Sequence, residues 1–285
     1  MIIIKLTGGI GNQMFQYAFG RYLSKVLDQE LFLNIEIYDL GLSNRSYDLN
    51  IFELANVKVG NSNDVIDIIT NSGQSISQII EKSFEYDELI VEYLLQYNKI
   101  KKKQTHFVLI GYWQSEKYFK TIYHLLFKDF KFKNPLKPKW AKINNIIKGT
   151  NSIMLNVRRG DYLDKLDYHG VVKDEYINRS ILYMEKNVKD PYFFIFSDDM
   201  DWCKKNIKMN NNIMFVGEEY YDPQYQYYLQ LMVNCKHFII ANSTFAWWSA
   251  YLSQNNDKIV IAPKNWFYDK SINTKDIIPD NWIKI

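Results

Sequence analysis

Two adjacent arginines at the end of an apolar segment are the strongest chemical signal in the sequence. In MLNVRRGDYL (154–163), a buried-strand pattern ends at Arg158 and Arg159, and Gly160 follows. Ligands of open α/β sheets bind at the carboxyl ends of strands, and the planar guanidinium fork matches phosphate oxygens. Asp161 offers the arginines an ion-pair partner, so a surface salt-bridge cluster stays open as the alternative. The pattern favours a site for a diphosphate.

A second candidate anion site follows the apolar segment HFIIA (237–241). Asn-Ser-Thr comes next, and Ser243, Thr244 and Phe245 begin a predicted helix. Backbone N–H groups and hydroxyls at the start of a helix bind anions. An ordinary N-cap has the same local sequence, so that alternative also stays open.

Carboxylates follow a third apolar segment, YFFIF (192–196). Asp198 and Asp199 come at its end, and Asp199-Met200-Asp201 spells the D-x-D pattern with which carboxylates hold divalent cations. The pattern is weakly specific, and both residues are suited to capping the next helix. We expect no metal here.

The opening segment LTGGIGNQMFQYAFG (6–20) resembles a nucleotide-binding loop only in part. A dinucleotide fingerprint needs G-x-G-x-x-G, and here Met14 stands where the third glycine would follow Gly9 and Gly11. Asn12, at the start of a strongly periodic helix, favours contact with a different polar ligand. A tight turn without a ligand is the alternative.

The other reactive side chains in the sequence form no recognisable catalytic motif. Three residues follow the arginines closely enough to reach the same site, so each is a candidate for the base that activates the acceptor hydroxyl: Asp161, Asp164 and His169. Cys203 and Cys235 lack metal-type spacing and predict buried thiols in a reducing compartment.

Short β-branched or aromatic segments alternate with helix-length segments, which predicts an α/β fold with parallel sheets. A Lys- and Pro-rich linker at 130–140 predicts two halves, 1–135 and 136–285. For 36–103 we expect loops and one amphipathic helix near 76–95. The predicted strands are 2–6, 31–35, 106–110, 152–157, 192–196, 213–217, 237–241 and 258–262.

Charge and hydropathy exclude several classes of protein. The 35 Lys and Arg nearly balance the 32 Asp and Glu, which argues against a nucleic-acid binder driven by bulk charge. No apolar run approaches the roughly 18 residues of a membrane span. We expect a cytoplasmic protein and leave open peripheral association with the inner face of a membrane.

Taken together, the motifs resemble the α-1,2-fucosyltransferase family, which includes bacterial polysaccharide enzymes and the animal blood-group H enzymes. The resemblance extends over nearly the whole chain and is weakest at 36–100. The motifs that carry it, in chain order, are GGIGNQMFQYAFG, GYWQSEKYF, VRRGDY, HGVV, FSDDMDWCKKN, NCKHFIIANSTFAWWSAYL and PDNW.

The resemblance implies a GT-B fold, in which two Rossmann-like halves face a central cleft. It implies GDP-L-fucose as donor, a galactoside-type glycan as acceptor, inversion at the anomeric carbon and no required metal or cofactor. Gly11 and Asn12 would match a loop that reaches the donor, while Arg158 and Arg159 would neutralise the departing diphosphate. Animal members carry an N-terminal membrane anchor that this sequence lacks, which indicates a bacterial or viral cytoplasmic form.

Two positions depart from the family pattern. Asn156 stands where the family motif H-x-R-R-G-D has histidine, and Tyr228 stands where the family tends to have an acid. In related enzymes those two residues contact guanine. Asn156 can still hydrogen-bond a base, and Asp198 or Asp222 can compensate for the missing acid. A same-fold enzyme that uses UDP or dTDP sugars, and a non-catalytic glycan-binding protein, are therefore the alternatives.

Overall fold

The chain forms two compact units, each built around a parallel sheet. The computed structural model describes residues 1–101, 105–160, 162, 170–209, 212–220 and 225–285, with the side chains of 98–101 excepted. Unit 1 comprises Met1–Lys133 with Lys275–Ile277, and unit 2 comprises Asn134–Thr274 with Ile278–Ile285. No helix in these ranges is both long and apolar enough to traverse a bilayer.

Unit 1 contains a five-stranded sheet in the order β3-β2-β1-β5-β4, and its strand pairs are parallel. Its strands are β1 (Ile2–Lys5), β2 (Leu31–Asn34), β3 (Val57–Gly60), β4 (Ser75–Ile80) and β5 (Thr105–Ile110). Its helices are α1 (Ile10–Leu27), α2 (Glu36–Asp39), α3 (Ser62–Ser72), α4 (Glu88–Lys101) and α5 (Tyr123–Asp129), with short 3-10 turns at Leu49–Ile51, Glu116–Tyr118 and Lys120–Ile122. The strand order changes direction between β1 and β5, so the loops after these two strands adjoin.

Helix α1 lies against β1 and β2 because its apolar residues recur every three or four positions. Phe15 and Phe19 are fully buried, whereas Val26, in the last turn of the helix, is 43% exposed. A Cβ on Gly20 would lie 2.7 Å from Cγ1 of Ile4. The glycine therefore permits the close approach of the helix to the sheet.

The prediction for 36–103 was wrong in part. This region forms α2, a 3-10 turn, β3, α3, β4 and α4. The expected helix near 76–95 is a strand at its beginning and a helix only from Glu88. Ile76, Ile79 and Ile80 have the i, i+3, i+4 spacing of a helical face. In the edge strand β4 the partly buried residues are Ser77 and Ile79, whereas Ile76 and Ile80 are more than half exposed, so the apolar residues do not mark the buried face.

Unit 2 contains a six-stranded parallel sheet in the order β11-β10-β9-β6-β7-β8. Its strands are β6 (Asn151–Val157), β7 (Pro191–Ser197), β8 (Asn212–Val216), β9 (His237–Ile239), β10 (Val260–Ala262) and β11 (Ile283–Lys284). Its helices are α6 (Pro138–Gly149), α7 (Asp174–Asn187), α8 (Met200–Asn206), α9 (Gln226–Val233) and α10 (Thr244–Leu252), with a 3-10 turn at Glu218–Tyr220. Here the order changes direction between β6 and β9.

The eight predicted strands are confirmed, and the predicted α/β class with parallel sheets is confirmed with them. Strands β3, β4 and β11 were not predicted. Cys203 and Cys235 are buried, as predicted, and burial raises the pKa of the Cys203 thiol to about 11.

Candidate functional site

Two ion pairs hold the arginine loop that follows β6. Nη1 of Arg158 lies 2.8 Å from Oδ2 of Asp198, and Nε of Arg159 lies 3.2 Å from Oδ2 of Asp199. The backbone N–H of Arg159 also donates to Oδ1 of Asp198 at 2.8 Å. Strands β6 and β7 pair in parallel with Val157 opposite Ser197, so the two loops leave the sheet side by side. The carboxylates therefore orient both guanidinium groups at the carboxyl edge of the sheet.

Aromatic rings lie beside both arginines. The guanidinium carbon of Arg159 lies 4.2 Å from the ring centre of Trp202, and that of Arg158 lies 5.5 Å from the ring of Tyr162. The hydroxyl of Tyr162 donates to the carbonyl of Asn242 at 2.9 Å. This bond joins the arginine loop to the loop after β9, where the strand order changes direction.

The predicted anion site at the start of α10 lies beside that junction. Ser243 is the N-cap residue and is 8% exposed, and its side chain makes no capping hydrogen bond within the described structure. Thr244 and Phe245, in the first turn, are partly exposed. Strand β9 pairs directly with β6, so the start of α10 and the arginine loop lie at the same edge of one sheet.

The two residues that depart from the family pattern are both buried. Nδ2 of Asn156 donates to the carbonyl of Phe196 at 3.3 Å, and its Oδ1 accepts no hydrogen bond from the described residues. The hydroxyl of Tyr228 accepts from the N–H of Ser197 at 2.8 Å and lies 3.1 Å from the carbonyl of Val216. Tyr228 thus joins the ends of β7 and β8, which is a structural role.

The D-x-D pattern is a helix cap in this structure. Oδ1 of Asp199 accepts from the N–H of Trp202 at 3.1 Å, at the start of α8. Among the described residues no three His, Cys, Asp or Glu side chains are grouped as metal ligands would be. The candidate catalytic residues Asp161, Asp164 and His169 lie outside the described residues.

In unit 1, the glycine loop between β1 and α1 is held by polar side chains. Nε2 of Gln13 and the hydroxyl of Tyr38 both donate to the carbonyl of Gly8, at 3.0 and 2.7 Å. Gly8 has a φ of 76°, whereas a Cβ on Gly9 would meet only ordinary contacts with Arg45. The left-handed residue is therefore Gly8, which sequence reasoning missed although the Gly-Gly pair signals a turn.

The loop after β5 lies beside the glycine loop, because β1 and β5 pair with Lys5 opposite Ile110. Its residue Gln114 contacts Asn12 in the first turn of α1. Gly11, also in that turn, is buried. The sequence analysis did not single out Gln114.

Glu81 holds the start of the loop after β5. Its two carboxylate oxygens accept from the N–H groups of Tyr112 and Trp113, at 2.6 and 2.9 Å. Burial raises the pKa of Glu81 to about 7, against the lowering effect of these two hydrogen bonds. The carboxyl group therefore takes up a proton near neutral pH.

This titration predicts a pH-dependent contribution to stability. The folded pKa lies above the unfolded value, so the folded state binds more protons between about pH 4.5 and 7, and stability falls as pH rises through that range. From pH 5 to pH 8 the free energy of unfolding of wild type should fall by about 3 kcal/mol relative to that of Glu81→Gln. Denaturant unfolding of both proteins at the two pH values measures this difference. If the free energies of unfolding of wild type and Glu81→Gln differed by the same amount at pH 5 and pH 8, the predicted titration of Glu81 would be contradicted.

Comparison with known proteins places the whole chain in one family. The model of Glycosyl transferase family 11 matches residues 1–285. The chain is 30% identical to an alpha-1,2-colitosyltransferase of Escherichia coli, over 100% of this chain and 99% of that protein. It is 33% identical to galactoside alpha-(1,2)-fucosyltransferase 1 of Bos taurus, over 38% of this chain and 31% of that protein.

Solved structures of fucosyltransferases share the fold at low sequence identity. A complex of an Arabidopsis thaliana FUT1 mutant with GDP matches with a TM-score of 0.52 and 11% identity, covering 93% of this chain and 71% of that one. POFUT1 in complex with GDP matches with a TM-score of 0.52 and 11% identity, covering 92% and 97%. These matches, with the two parallel sheets, confirm the predicted GT-B fold class.

Proposed function

Because this chain belongs to glycosyl transferase family 11 and is a glycosyltransferase, we propose that it is an inverting galactoside α-1,2-fucosyltransferase that uses GDP-L-fucose. The α-1,2 linkage is supported by the names of two relatives. The colitosyltransferase matches the whole chain, and the fucosyltransferase matches part of it. Assembly of a surface polysaccharide or glycan, on the cytoplasmic side of a membrane, is the setting that we propose.

The observation that carries this proposal is the pair of oriented arginines at the carboxyl end of β6. Arg158 and Arg159 are 27% and 19% exposed, so ligands can reach their side chains. Each is held by a carboxylate that fixes its guanidinium group before a ligand binds. A preorganised cation stabilises developing negative charge without reorganisation during the reaction.

We assign the arginines to the leaving group. In an inverting transfer, the acceptor hydroxyl oxygen forms a bond to the anomeric carbon as the bond from that carbon to the diphosphate oxygen breaks. The hydroxyl proton passes to a base, and the bonding electrons leave with the diphosphate. Arg158 and Arg159 neutralise the charge that develops there, with the start of α10 at Ser243 and Thr244 as a second contact.

The nucleotide is assigned to unit 2 and the acceptor to unit 1. We propose that Asn156, Asp198 and Phe245 also contribute to the nucleotide site. Gly9, Gly11 and Asn12 of unit 1 are proposed as donor contacts. The catalytic base is proposed to be Asp161 or His169.

Colitose is the second candidate sugar, because the relative that is 30% identical over the whole chain is a colitosyltransferase. Other nucleotides remain a second candidate for the donor, because Tyr228 uses its hydroxyl to join β7 and β8. An acid at that position would offer carboxylate oxygens as acceptors for the N–H groups of guanine. The hydroxyl of Tyr228, already bonded within the sheet, does not supply these acceptors.

A transfer assay tests the proposal. Purified protein is incubated with GDP-fucose and a β-galactoside, and the linkage of the product is determined by NMR. We expect an α-1,2-linked fucoside. Products only from a colitose, UDP or dTDP donor would overturn the proposed sugar or nucleotide, and glycan binding without turnover would overturn the enzymatic role.

Chelation tests the proposed metal independence. The arginines supply positive charge that a metal ion would otherwise provide at the diphosphate. We therefore expect the transfer rate in EDTA to equal the rate without it. A rate that is lost in EDTA and restored by Mn²⁺ would contradict the expectation.

A further inference from the structure

The guanidinium group of Arg159 is held in a way that leaves its terminal amino groups available. Its Nε is paired with Asp199, and its carbon lies over the ring of Trp202. Nη1 and Nη2 of Arg159 make no hydrogen bond to any residue that the structure describes. In Arg158, by contrast, Nη1 is paired with Asp198. Arg159 therefore offers the more complete fork, and two parallel N–H groups of such a fork match two oxygens of one phosphate.

The carboxylate that holds Arg159 is itself fixed. Oδ1 of Asp199 accepts from the N–H of Trp202 at 3.1 Å, and the N–H of Asp199 donates to Oγ of Ser197 at 2.9 Å. Oδ2 of Asp199 is then the oxygen that faces Nε of Arg159, at 3.2 Å. The end of β7 and the start of α8 thus determine where this carboxylate lies.

The indole of Trp202 is the second support of Arg159. It is partly buried and packs against the apolar core of unit 2, which includes Cys203 and Ile207. The guanidinium carbon of Arg159 lies 4.2 Å from the ring centre, where the electron-rich face of an indole attracts a cation. Because the ring contacts the core as well as the guanidinium group, it is a firm surface on which the arginine rests.

We propose that Trp202 is a positioning residue, which together with Asp199 orients Arg159 so that Nη1 and Nη2 bind one phosphate of the sugar nucleotide. This inference rests on the proposed function, in which Arg159 contacts the diphosphate. An arginine that is ordered before binding loses less conformational freedom when the ligand arrives. An indole suits this role because it holds the cation through its face, whereas a second carboxylate would compete with the phosphate for the N–H groups.

Calorimetry with two ligands, GDP and inorganic pyrophosphate, tests the inference. Trp202→Leu removes the ring and keeps an apolar side chain against the core. We expect this variant to raise the Kd of both ligands by the same factor, about fivefold, the usual effect of one cation–π contact. Pyrophosphate has no base, so an equal factor assigns the effect to the phosphates.

A double-mutant cycle shows whether Trp202 acts through Arg159. Arg159→Ala alone should raise both Kd values more than Trp202→Leu does. In an Arg159→Ala background, Trp202→Leu should raise them no further, because the group that it positions is gone. Trp202→Phe keeps an aromatic ring, so its Kd values should lie between those of wild type and Trp202→Leu. This conservative variant also provides the test if Trp202→Leu does not fold.

The control is Lys139→Ala, which removes a contact of the same kind elsewhere in unit 2. Nζ of Lys139 lies over the ring of Trp140, 4.5 Å from its centre, in α6. We expect this variant to leave the Kd of GDP and of pyrophosphate unchanged. Melting temperatures of all variants separate lost binding from lost folding.

Two outcomes would overturn the inference and leave the proposed function standing. In the first, Trp202→Leu weakens GDP but not pyrophosphate, which would mean that the ring contacts the base. In the second, Trp202→Leu has no effect on either ligand, or has the same effect with and without Arg159. If wild type binds neither GDP nor pyrophosphate, the proposed function falls and the inference falls with it.

Discussion

We expect Arg158→Ala to lower kcat for sugar transfer by about 100- to 1,000-fold, the range found when one preorganised charge-stabilising group is removed. The diphosphate gains negative charge as its bond to the sugar breaks, so the guanidinium group contributes most in the transition state. Steady-state kinetics with saturating acceptor measures the effect. Arg158→Lys should recover only part of the rate, because an ammonium group lacks the planar fork.

The matched control is Arg179→Ala, on the exposed face of α7. Arg179 is 61% exposed and lies 3.9 Å from Glu175 in a surface pair of little energetic value. The kcat of Arg179→Ala should equal that of wild type. A kcat for Arg158→Ala within threefold of wild type, at an unchanged melting temperature, would remove Arg158 from the proposed site.

The largest effect on stability is expected at Asp129. Its Oδ2 accepts from the hydroxyl of Tyr17 at 2.9 Å and from Nε of Arg21 at 2.8 Å, and its side chain is only 5% exposed. Asp129→Ala would leave the guanidinium group of Arg21 without this partner in a poorly hydrated position. The free energy of unfolding should fall by about 3 kcal/mol, the usual cost of breaking a buried pair.

An exposed ion pair of the same unit is the control for that experiment. Glu30 and Lys58 are 66% and 54% exposed and lie 2.9 Å apart. Glu30→Ala should change the free energy of unfolding by about 0.5 kcal/mol or less. Denaturant unfolding measures both variants. If Asp129→Ala and Glu30→Ala lowered the free energy of unfolding equally, burial would not account for the contribution of Asp129 to stability.

Most of the sheet framework is predictable because buried parallel strands are continuous apolar segments. Strands β1, β6 and β7 have this composition, and the polar residues that follow each of them were correctly expected at strand ends. Strand β4 was missed because its three isoleucines have helical spacing, and its exposure at the sheet edge removes the pattern that identifies a strand.

The partners of the site residues were not predictable, because they depend on sheet order and register. The sequence offered Asp161 as an alternative ion-pair partner for the arginines, whereas the partners that the structure describes are Asp198 and Asp199, about 40 positions away along the chain. The contact between Asn12 and Gln114 spans 102 positions and depends on the pairing of β1 with β5. Periodicity within a segment carries no information about which strands become neighbours.

The central claim is that the loop after β6 holds the diphosphate of a GDP-linked donor. Its most direct test is to measure, by calorimetry, the binding of GDP, UDP and dTDP to wild type and to Arg158→Ala. GDP resembles the leaving group, so it should bind in preference to the other two and bind more weakly to Arg158→Ala. Preference for UDP or dTDP would contradict the proposed donor. Equal binding of GDP to both proteins would contradict the role of the arginine.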